Sequence, residues 1–308
     1  MNSDPSQNQT TAPKWLSILG ALLVLLSFFY IAQLLWGYRD TLLSWRPSTP
    51  SFAALGVGVI IYALANFSLS SAWIRLLRLC GEHTVKQKTL TRIYGKSQIG
   101  KYIPGNIAHL AGRHAMGKAA GMSHASLALT SIFEITGLFS AALIITLIGG
   151  NTITHQFDQL SWLPIAAPLI LIVYLFTPSI LHRYRPTISL VSPALMLQPL
   201  LYYLLFFLIS GLALVLICFF TGKITLSVDS TLLLSAFAIS WSIGFITPGA
   251  PSGIGIREAI LILLLTPLSG EGPALILALL FRLVTVGGDV VFFFLSQYSL
   301  RTEKRPAA

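Results

Sequence analysis

Charged side chains are scarce in this sequence: only 10% of its 308 residues are Asp, Glu, Lys or Arg, whereas 55% are hydrophobic. An ordinary soluble domain has about 25% charged residues, so this composition excludes a soluble globular protein. No polar stretch between the apolar runs is long enough to fold separately. The composition therefore predicts one membrane domain over residues 15–298, between tails at residues 1–14 and 299–308.

Cysteine is also scarce. The two cysteines, Cys80 and Cys218, lie at the end of one apolar run and inside another, which excludes a disulfide framework and a cysteine zinc site. The six histidines have no metal-ligand spacing, and we interpret them as interfacial. They are His83, His109, His114, His124, His155 and His182. The sequence predicts no metal and no cofactor.

Long apolar runs are abundant. A helix needs about 20 residues to cross a bilayer core, and eight runs approach that length. They are residues 15–36, 52–74, 125–148, 162–181, 200–220, 231–247, 254–268 and 273–296. The run 254–268 reaches roughly 22 Å as a helix and is short, so it is either a short eighth crossing or a re-entrant segment. The expected fold is an all-α integral membrane protein with about eight transmembrane helices.

The basic residues indicate how the chain is oriented. The net charge is +10, but the basic residues lie between apolar runs and form no patch interleaved with aromatics, so we do not expect nucleic-acid binding. With eight crossings and a cytoplasmic N-terminus, sixteen Lys and Arg residues fall on the cytoplasmic side and three on the other. This asymmetry predicts a bacterial cytoplasmic (inner) membrane protein with both termini in the cytoplasm.

Two segments interrupt the apolar pattern in the same way. The first contains Lys101, Pro104, Gly105, Asn106 and Arg113. The second contains Pro248, Gly249, Gly253, Gly255, Arg257 and Glu258. In each, a Pro-Gly pair precedes an arginine that lies nine residues after the proline, which indicates an internal repeat.

The Pro-Gly pairs predict irregular backbone beside a short helix, because proline stops a helix and glycine permits unusual dihedral angles. Irregular backbone at membrane depth is found where it lines a cavity, and the free amides of the next helix then attract an anion. The alternative is that both segments are ordinary cytoplasmic loops.

Charges inside the apolar runs extend this prediction. Glu134 is expected near mid-membrane, and Arg282 and Asp289 share one face of the last helix. One interpretation is a set of ion pairs, such as Arg282 with Glu134 or Glu258, that only fix helix packing. The other is that arginines in excess of the local acids bind a phosphate, for which the guanidinium geometry is suited.

These motifs resemble the lysylphosphatidylglycerol synthase transmembrane-region family, which includes the flippase-like half of multiple peptide resistance factors. The resemblance covers roughly residues 16–298 and implies an eight-span flippase-like fold with re-entrant elements. The sequence departs from it at Ala250, Pro251 and Ser252, where many relatives have a plainer glycine run. A soluble aminoacyl-transfer domain is not present in the printed sequence, so we do not expect aminoacyl-lipid synthase activity.

The preferred function is the transport or flipping of a phosphate-bearing lipid through a polar cavity, with anionic or polyprenyl-phosphate headgroups as partners. A non-transporting scaffold for an envelope-lipid or glycosylation enzyme is the alternative, with the basic stretch from Arg75 to Lys118 as its docking surface. A lipid-modifying enzyme is disfavoured because no nucleophile accompanies the acids. The sequence does not indicate whether the chain forms a homo-oligomer. The candidate binding residues are Lys101, Pro104, Gly105, Asn106, Arg113, Glu134, Pro248, Gly249, Gly253, Gly255, Arg257, Glu258, Arg282 and Asp289.

Overall fold

The described part of the chain is helical. In a computed structural model, the described residues are 35–44, 48–103, 107–149, 162–184, 192–221, 230–248 and 250–298, with Leu25, Phe29, Ala32 and Gln33. Over these residues 89% of the structure is helix and no strand occurs. The α-helices are α1 (Arg39–Ser44), α2 (Thr49–Leu79), α3 (Gln87–Ile99), α4 (Ala108–Ala119), α5 (His124–Ile148), α6 (Leu163–Tyr184), α7 (Pro193–Thr221), α8 (Ser230–Ile246), α9 (Ile256–Ser269) and α10 (Glu271–Tyr298). Short 3-10 turns span Gly100–Tyr102 and Pro251–Gly253.

Five described helical segments are long and apolar enough to cross a membrane. They are α2, α5, α7, α10 and the segment Pro251–Ser269, which contains α9. The apolar part of α6, Pro164–Ile180, and helix α8 are shorter. The helices therefore indicate a multi-pass membrane protein. Most of the predicted first crossing, residues 15–36, lies outside the described residues, and the count of eight crossings stays a prediction.

Helix ends follow local sequence signals. Helix α2 begins with Pro50 in its first turn and is followed by Gly81, whose φ of +90° breaks the helix. Helix α5 begins after Ser123, whose hydroxyl oxygen accepts a hydrogen bond from the Ser126 amide at 3.0 Å. Helices α2 and α7 also extend beyond the apolar runs 52–74 and 200–220 that the sequence predicts, because their ends include polar or proline-containing turns.

Aromatic side chains fill the interior where α7 and α8 meet. Phe207 packs edge-on against Trp241, with ring centroids 5.2 Å apart, and Phe206 packs on Phe237 at 6.3 Å. Small residues allow the helices to approach closely. At Gly137 of α5, for instance, an added Cβ would lie 2.7 Å from the Tyr203 ring. This packing fixes the rotation of α5 and α8, which line the cavity described below.

Helices α3 and α4 form the polar part of the bundle. Helix α3 packs on α10 and α2, and α4 packs on α3 and α5. The buried face of α3 carries Tyr94 and Ser97, whereas Lys88, Arg92 and Lys96 lie four residues apart on its exposed face. The basic stretch from Arg75 to Lys118 thus includes the end of α2, the first 3-10 turn, α3 and α4, and on α3 its basic residues lie outside and the Tyr94 face inside.

The two segments that contain the Pro-Gly pairs meet in space, because the 3-10 turns Gly100–Tyr102 and Pro251–Gly253 contact each other. Their local structures differ: Arg113 is the sixth residue of α4, whereas Arg257 is the second residue of α9. The second turn is left-handed at Ser252 (φ 53°) and Gly253 (φ 68°). The internal repeat therefore stays a prediction from sequence spacing.

Candidate functional site

Seven charged side chains form an interior cluster, defined here as the central cluster. It contains four cations and three carboxylates, drawn from α4, α5, α9, α10 and the first 3-10 turn. The members are Lys101, Arg113, Arg257, Arg282, Glu134, Glu258 and Asp289. Each carboxylate is paired with one cation, and one arginine remains.

The Arg113–Glu134 pair is the most enclosed. Both side chains are about 3% exposed, and Arg113 Nη1 lies 2.5 Å from Glu134 Oε2 and 2.7 Å from Oε1. The Tyr94 hydroxyl donates to Glu134 Oε1 at 3.0 Å, and Arg113 Nε donates to the Ser97 hydroxyl at 3.1 Å. The guanidinium also lies 3.9 Å from the centre of the Tyr94 ring. These contacts offset the cost of burying both charges.

The second pair joins the first 3-10 turn to helix α10. Lys101 Nζ lies 2.7 Å from Asp289 Oδ2, and the Tyr102 hydroxyl donates to the same oxygen at 2.6 Å. Asp289 is 1% exposed, and its Oδ1 has no hydrogen-bond partner in the described part of the chain. Lys101 therefore neutralises a carboxylate inside the bundle, and Tyr102 helps to hold it.

The third pair lies at the start of α9. Glu258 Oε2 accepts a hydrogen bond from the Gly255 amide at 2.6 Å and so caps this helix, while its Oε1 lies 3.3 Å from Arg282 Nε. Of the two partners that the sequence allowed for Arg282, the structure shows Glu258 and not Glu134. Arg282 Nη2 has no hydrogen-bond partner among the described residues.

Arg257 is the remaining cation. Within the described ranges, no carboxylate lies within 4.0 Å of its guanidinium, and its buried Nε has no hydrogen-bond partner. The guanidinium lies 5.3 Å from the centre of the Trp241 ring. Two glycines make room for this side chain: an added Cβ would lie 2.4 Å from Arg257 Cγ at Gly244 and 2.7 Å from Arg257 Nε at Gly253. This arrangement leaves one positive charge in the cluster without a matching carboxylate.

A cavity of about 450 Å³, called here the polar cavity, lies against this cluster. The charged and ring-bearing side chains in its lining are Tyr62, Tyr94, Lys101, His109, Arg113, Glu134, Phe206, Trp241, Phe245 and Arg257. A second cavity of about 310 Å³ lies between α8, α9 and α10 and is lined in part by Arg257, Glu258 and Arg282. Arg257 therefore borders both cavities and is the residue best placed to meet a bound anion.

His109 was predicted to be interfacial, and for this histidine the interpretation is wrong. It is 7% exposed, lines the polar cavity, and its Nδ1 has no partner among the described residues. Burial, together with the neighbouring cations, lowers the pKa of His109 to about 3, so the ring is neutral near pH 7. Its position four residues before Arg113, on the buried face of α4, is the sequence signal that could have identified it.

Other residues of the site were missed because they look like ordinary interior or interfacial residues. No sequence motif indicated Tyr94 or Tyr102, but their hydroxyl groups donate hydrogen bonds to Glu134 Oε1 and Asp289 Oδ2. Trp241 lies in an apolar run with no sequence signal for its contact with Arg257. These contacts depend on helix packing and not on local spacing.

The remaining predicted residues have different positions. Pro104, Gly105, Asn106 and Gly249 lie outside the described residues. Pro248 follows α8, and Gly255 precedes α9, where its φ of +84° shapes the turn. Arg282 and Asp289, expected on one face of α10, contact different partners, Glu258 and Lys101.

The arrangement suits the binding of an oxyanion. Arginine and lysine donors, a neutral histidine and aromatic rings surround a cavity within apolar helices. Among the described residues, no group of three or more His, Cys, Asp or Glu side chains is placed to hold a metal ion.

Comparison of the sequence with known protein families and with curated proteins found no match. The resemblance described above therefore rests on the motifs alone.

Proposed function

We propose that this protein moves a phosphate-bearing lipid across the bacterial cytoplasmic membrane, with the phosphate in the polar cavity beside Arg257. The observation that carries the proposal is that Arg257, which is partly buried and has a fully buried Nε, has no carboxylate partner in the described chain, whereas Lys101, Arg113 and Arg282 each have one. An unpaired charge that is partly removed from water is costly, so an anion that reaches it gains a strong, charge-assisted contact.

The charge of the central cluster favours a ligand with about one negative charge. Four cations face three carboxylates, and His109 adds no charge because burial holds its pKa at about 3. A bound monoanion, such as a phosphodiester, leaves the cluster neutral. A ligand of higher charge would have to displace Glu134 or Glu258 from its cation, which costs more.

Several features favour a lipid over a soluble anion. The cavity lies among long apolar helices, whose exposed side chains include Ile132 and Leu147 of α5. The Pro-Gly segments meet beside it, as in transporters whose broken helices line a substrate site. The proposed eight crossings, with both termini in the cytoplasm, and membership of the lysylphosphatidylglycerol synthase transmembrane-region family fit the same function.

Transport requires that the binding site open to each side of the membrane in turn. Rearrangement of the ion pairs provides a physical means for this change. An anion beside Arg257 competes for neighbouring cations, and so weakens the contacts that hold the first 3-10 turn to α10 through Lys101 and Asp289. A ligand that binds one arrangement better than the other shifts the population between them. Movement of the turn would then open the cavity on one side.

The test is reconstitution into vesicles with fluorescent phospholipids, polyprenyl lipids and hopanoid lipids, in which translocation is followed by quenching from outside. We expect faster translocation of at least one phosphate-bearing lipid, and its loss in Arg257→Gln. Arg39→Gln is the matched control, because Arg39 is exposed and pairs with Asp40 on the surface. Translocation of no lipid, or equal rates for wild type and Arg257→Gln, would contradict the proposal.

A scaffold function is the second candidate, and one surface favours it. Lys88, Arg92 and Lys96 form an exposed stripe on α3, a helix that contains no acidic residue. Such a stripe fits an acidic partner enzyme as well as anionic lipid. A scaffold predicts that a partner co-purifies with wild type and is lost when all three residues are changed to Gln, with translocation absent in both.

A further inference from the structure

A third cavity, which is apolar, lies directly behind one wall of the polar cavity. It has a volume of about 670 Å³ and lies between α5, α6 and α8. We call it the apolar groove, and its lining includes Phe139, Leu143, Ile170, Ile239, Ile243 and Ile246. Two hydroxyl-bearing residues, Thr146 and Ser242, also line it, and the Thr146 hydroxyl donates to the Ala142 carbonyl of its own helix; the other lining residues are apolar or aromatic. The groove is therefore suited to hydrocarbon.

The groove and the polar cavity occupy the same stretch of α5 and α8. Glu134 and Leu138 line the polar cavity, and Phe139 and Leu143 line the groove from the next part of α5. On α8, Phe245 faces the polar cavity, whereas the groove is lined by residues between Ile239 and Ile246. The two cavities are thus separated by the seam between these two helices.

Aromatic rings close this seam. The Phe139 and Phe245 rings meet edge to face with centroids 5.7 Å apart, and Phe245 stacks on Trp241 at 5.1 Å. Trp241 in turn lies against Arg257, with its ring centre 5.3 Å from the guanidinium. A continuous row of contacts therefore leads from the unpaired cation to the apolar groove.

We propose that the apolar groove holds the hydrocarbon chain of the lipid whose phosphate binds beside Arg257, and that Phe139 and Phe245 close the seam through which this chain passes. The inference rests on the proposed function, because it needs a charged headgroup in the polar cavity. An amphiphile bound there must place its chain in hydrocarbon, and the groove is apolar, adjacent and exposed on the side of Ile246.

The length of the groove sets how much of the chain it holds. It follows about seven residues of α5 and of α8, or roughly 10 Å at the helical rise. The rest of a long chain extends into the bilayer beyond Ile246, which is 61% exposed. The groove therefore holds only the part of the hydrocarbon chain that is closest to the headgroup.

The experiment uses two photo-crosslinking probes added to the full chain in phosphatidylcholine vesicles. One is phosphatidylglycerol with long chains and a diazirine near the glycerol end of a chain, and the other is its chain-free headgroup, glycerophosphoglycerol, with a diazirine on the headgroup. Mass spectrometry of the labelled peptides gives the site of attachment. We expect the chain probe to label α5 and α8 at the groove, and the headgroup probe to label the polar cavity.

Tryptophan substitutions fill the groove from opposite walls. With Leu143→Trp or Ile243→Trp, labelling by the chain probe falls roughly tenfold, because a filled groove has no space for the chain. Labelling by the chain-free headgroup probe stays as in wild type and shows that the variant is folded. Leu147→Trp is the matched control, since Leu147 lies one turn further along α5, is 36% exposed and does not line the groove.

Arg257→Gln separates the inference from the proposed function, and it is expected to reduce labelling by both probes. If the chain probe labels the groove equally in wild type and Arg257→Gln, the groove holds bulk lipid and the inference is wrong. The same follows if both Trp variants leave chain labelling unchanged, or if both abolish headgroup labelling. If the headgroup probe does not label the polar cavity of the wild type, the proposed function fails as well.

Discussion

The guanidinium of Arg257 lies 5.3 Å from the centre of the Trp241 ring, in a slot bounded by two glycines, with no carboxylate of the described chain within 4.0 Å. An aromatic face stabilises a cation but does not neutralise it. The positive charge of Arg257 is therefore held in a fixed position and remains available to bind an anion. This relationship distinguishes Arg257 from the three paired cations around it and sets the first two predictions.

Replacement of Arg257 should separate function from stability. Arg257→Gln removes an unpaired and partly buried charge, so we expect unchanged or slightly increased thermal stability. Binding of the phosphate-bearing lipid should weaken by roughly ten- to a hundredfold, which corresponds to the ~1.5–3 kcal/mol of a hydrogen bond to a charged group. Unfolding in detergent and lipid binding, measured on the same preparations, check both parts. A variant that loses both stability and binding would show a structural role.

Gly244→Ala should weaken binding without removing any charge. A methyl group at this position meets Arg257 Cγ at 2.4 Å, so the arginine must leave its slot. Gly56→Ala on α2 is the matched control, because nothing lies within 4 Å of its added Cβ. Both changes replace glycine by alanine within a helix, which favours the helix by about 0.5–1 kcal/mol in each case. The two variants therefore differ only in whether the new methyl group displaces Arg257. Equal lipid binding by both variants would show that the position of Arg257 does not matter.

The long apolar helices could be predicted from the sequence because they depend on composition along one segment. The runs 52–74, 125–148 and 273–296 each lie within a described helix, α2, α5 and α10. Helix ends were less predictable, since polar turns extend α2 and α7 beyond their apolar runs. Local patterns thus identify the helices but not their full length.

The pairing of charges could not be predicted, because it depends on how distant helices rotate against one another. Glu134 and Glu258 were both possible partners of Arg282, and the turn that precedes α9 decides in favour of Glu258. Tyr102 is 187 residues from Asp289 along the chain, so no local spacing could have related them. Residue types suggested a polar interior, and only the packing shows which cation is left unpaired.

Glu134→Gln should be strongly destabilising. The change leaves Arg113 buried at 3% exposure without its carboxylate, and breaking such a pair costs about 3–5 kcal/mol. Asp40→Asn is the control, because Asp40 pairs with Arg39 on the surface. The Arg39 and Asp40 side chains are 55% and 90% exposed, and exposed ion pairs contribute little to stability. Thermal unfolding of the purified variants is the measurement. Similar midpoints for the two variants would contradict the assignment of Arg113–Glu134 as a structural pair.

The titration of His109 gives a prediction about pH. Its pKa in the folded protein is about 3, below the usual value of 6.5. Between pH 3 and pH 6.5 the unfolded chain therefore binds a proton at His109 that the folded protein does not bind. Stability therefore falls as pH falls below about 6.5, by about 1.5 kcal/mol between pH 6.5 and 5, and the loss continues towards pH 3. His109→Gln removes this proton, so the difference in stability between wild type and variant should shrink or reverse as the pH is lowered. Above pH 7 the histidine is neutral in both states, and lipid binding should not depend on its ionisation. Unfolding free energies of both proteins at pH 5, 6, 7 and 8 decide the point, since parallel curves would mean that His109 is not buried as a neutral ring.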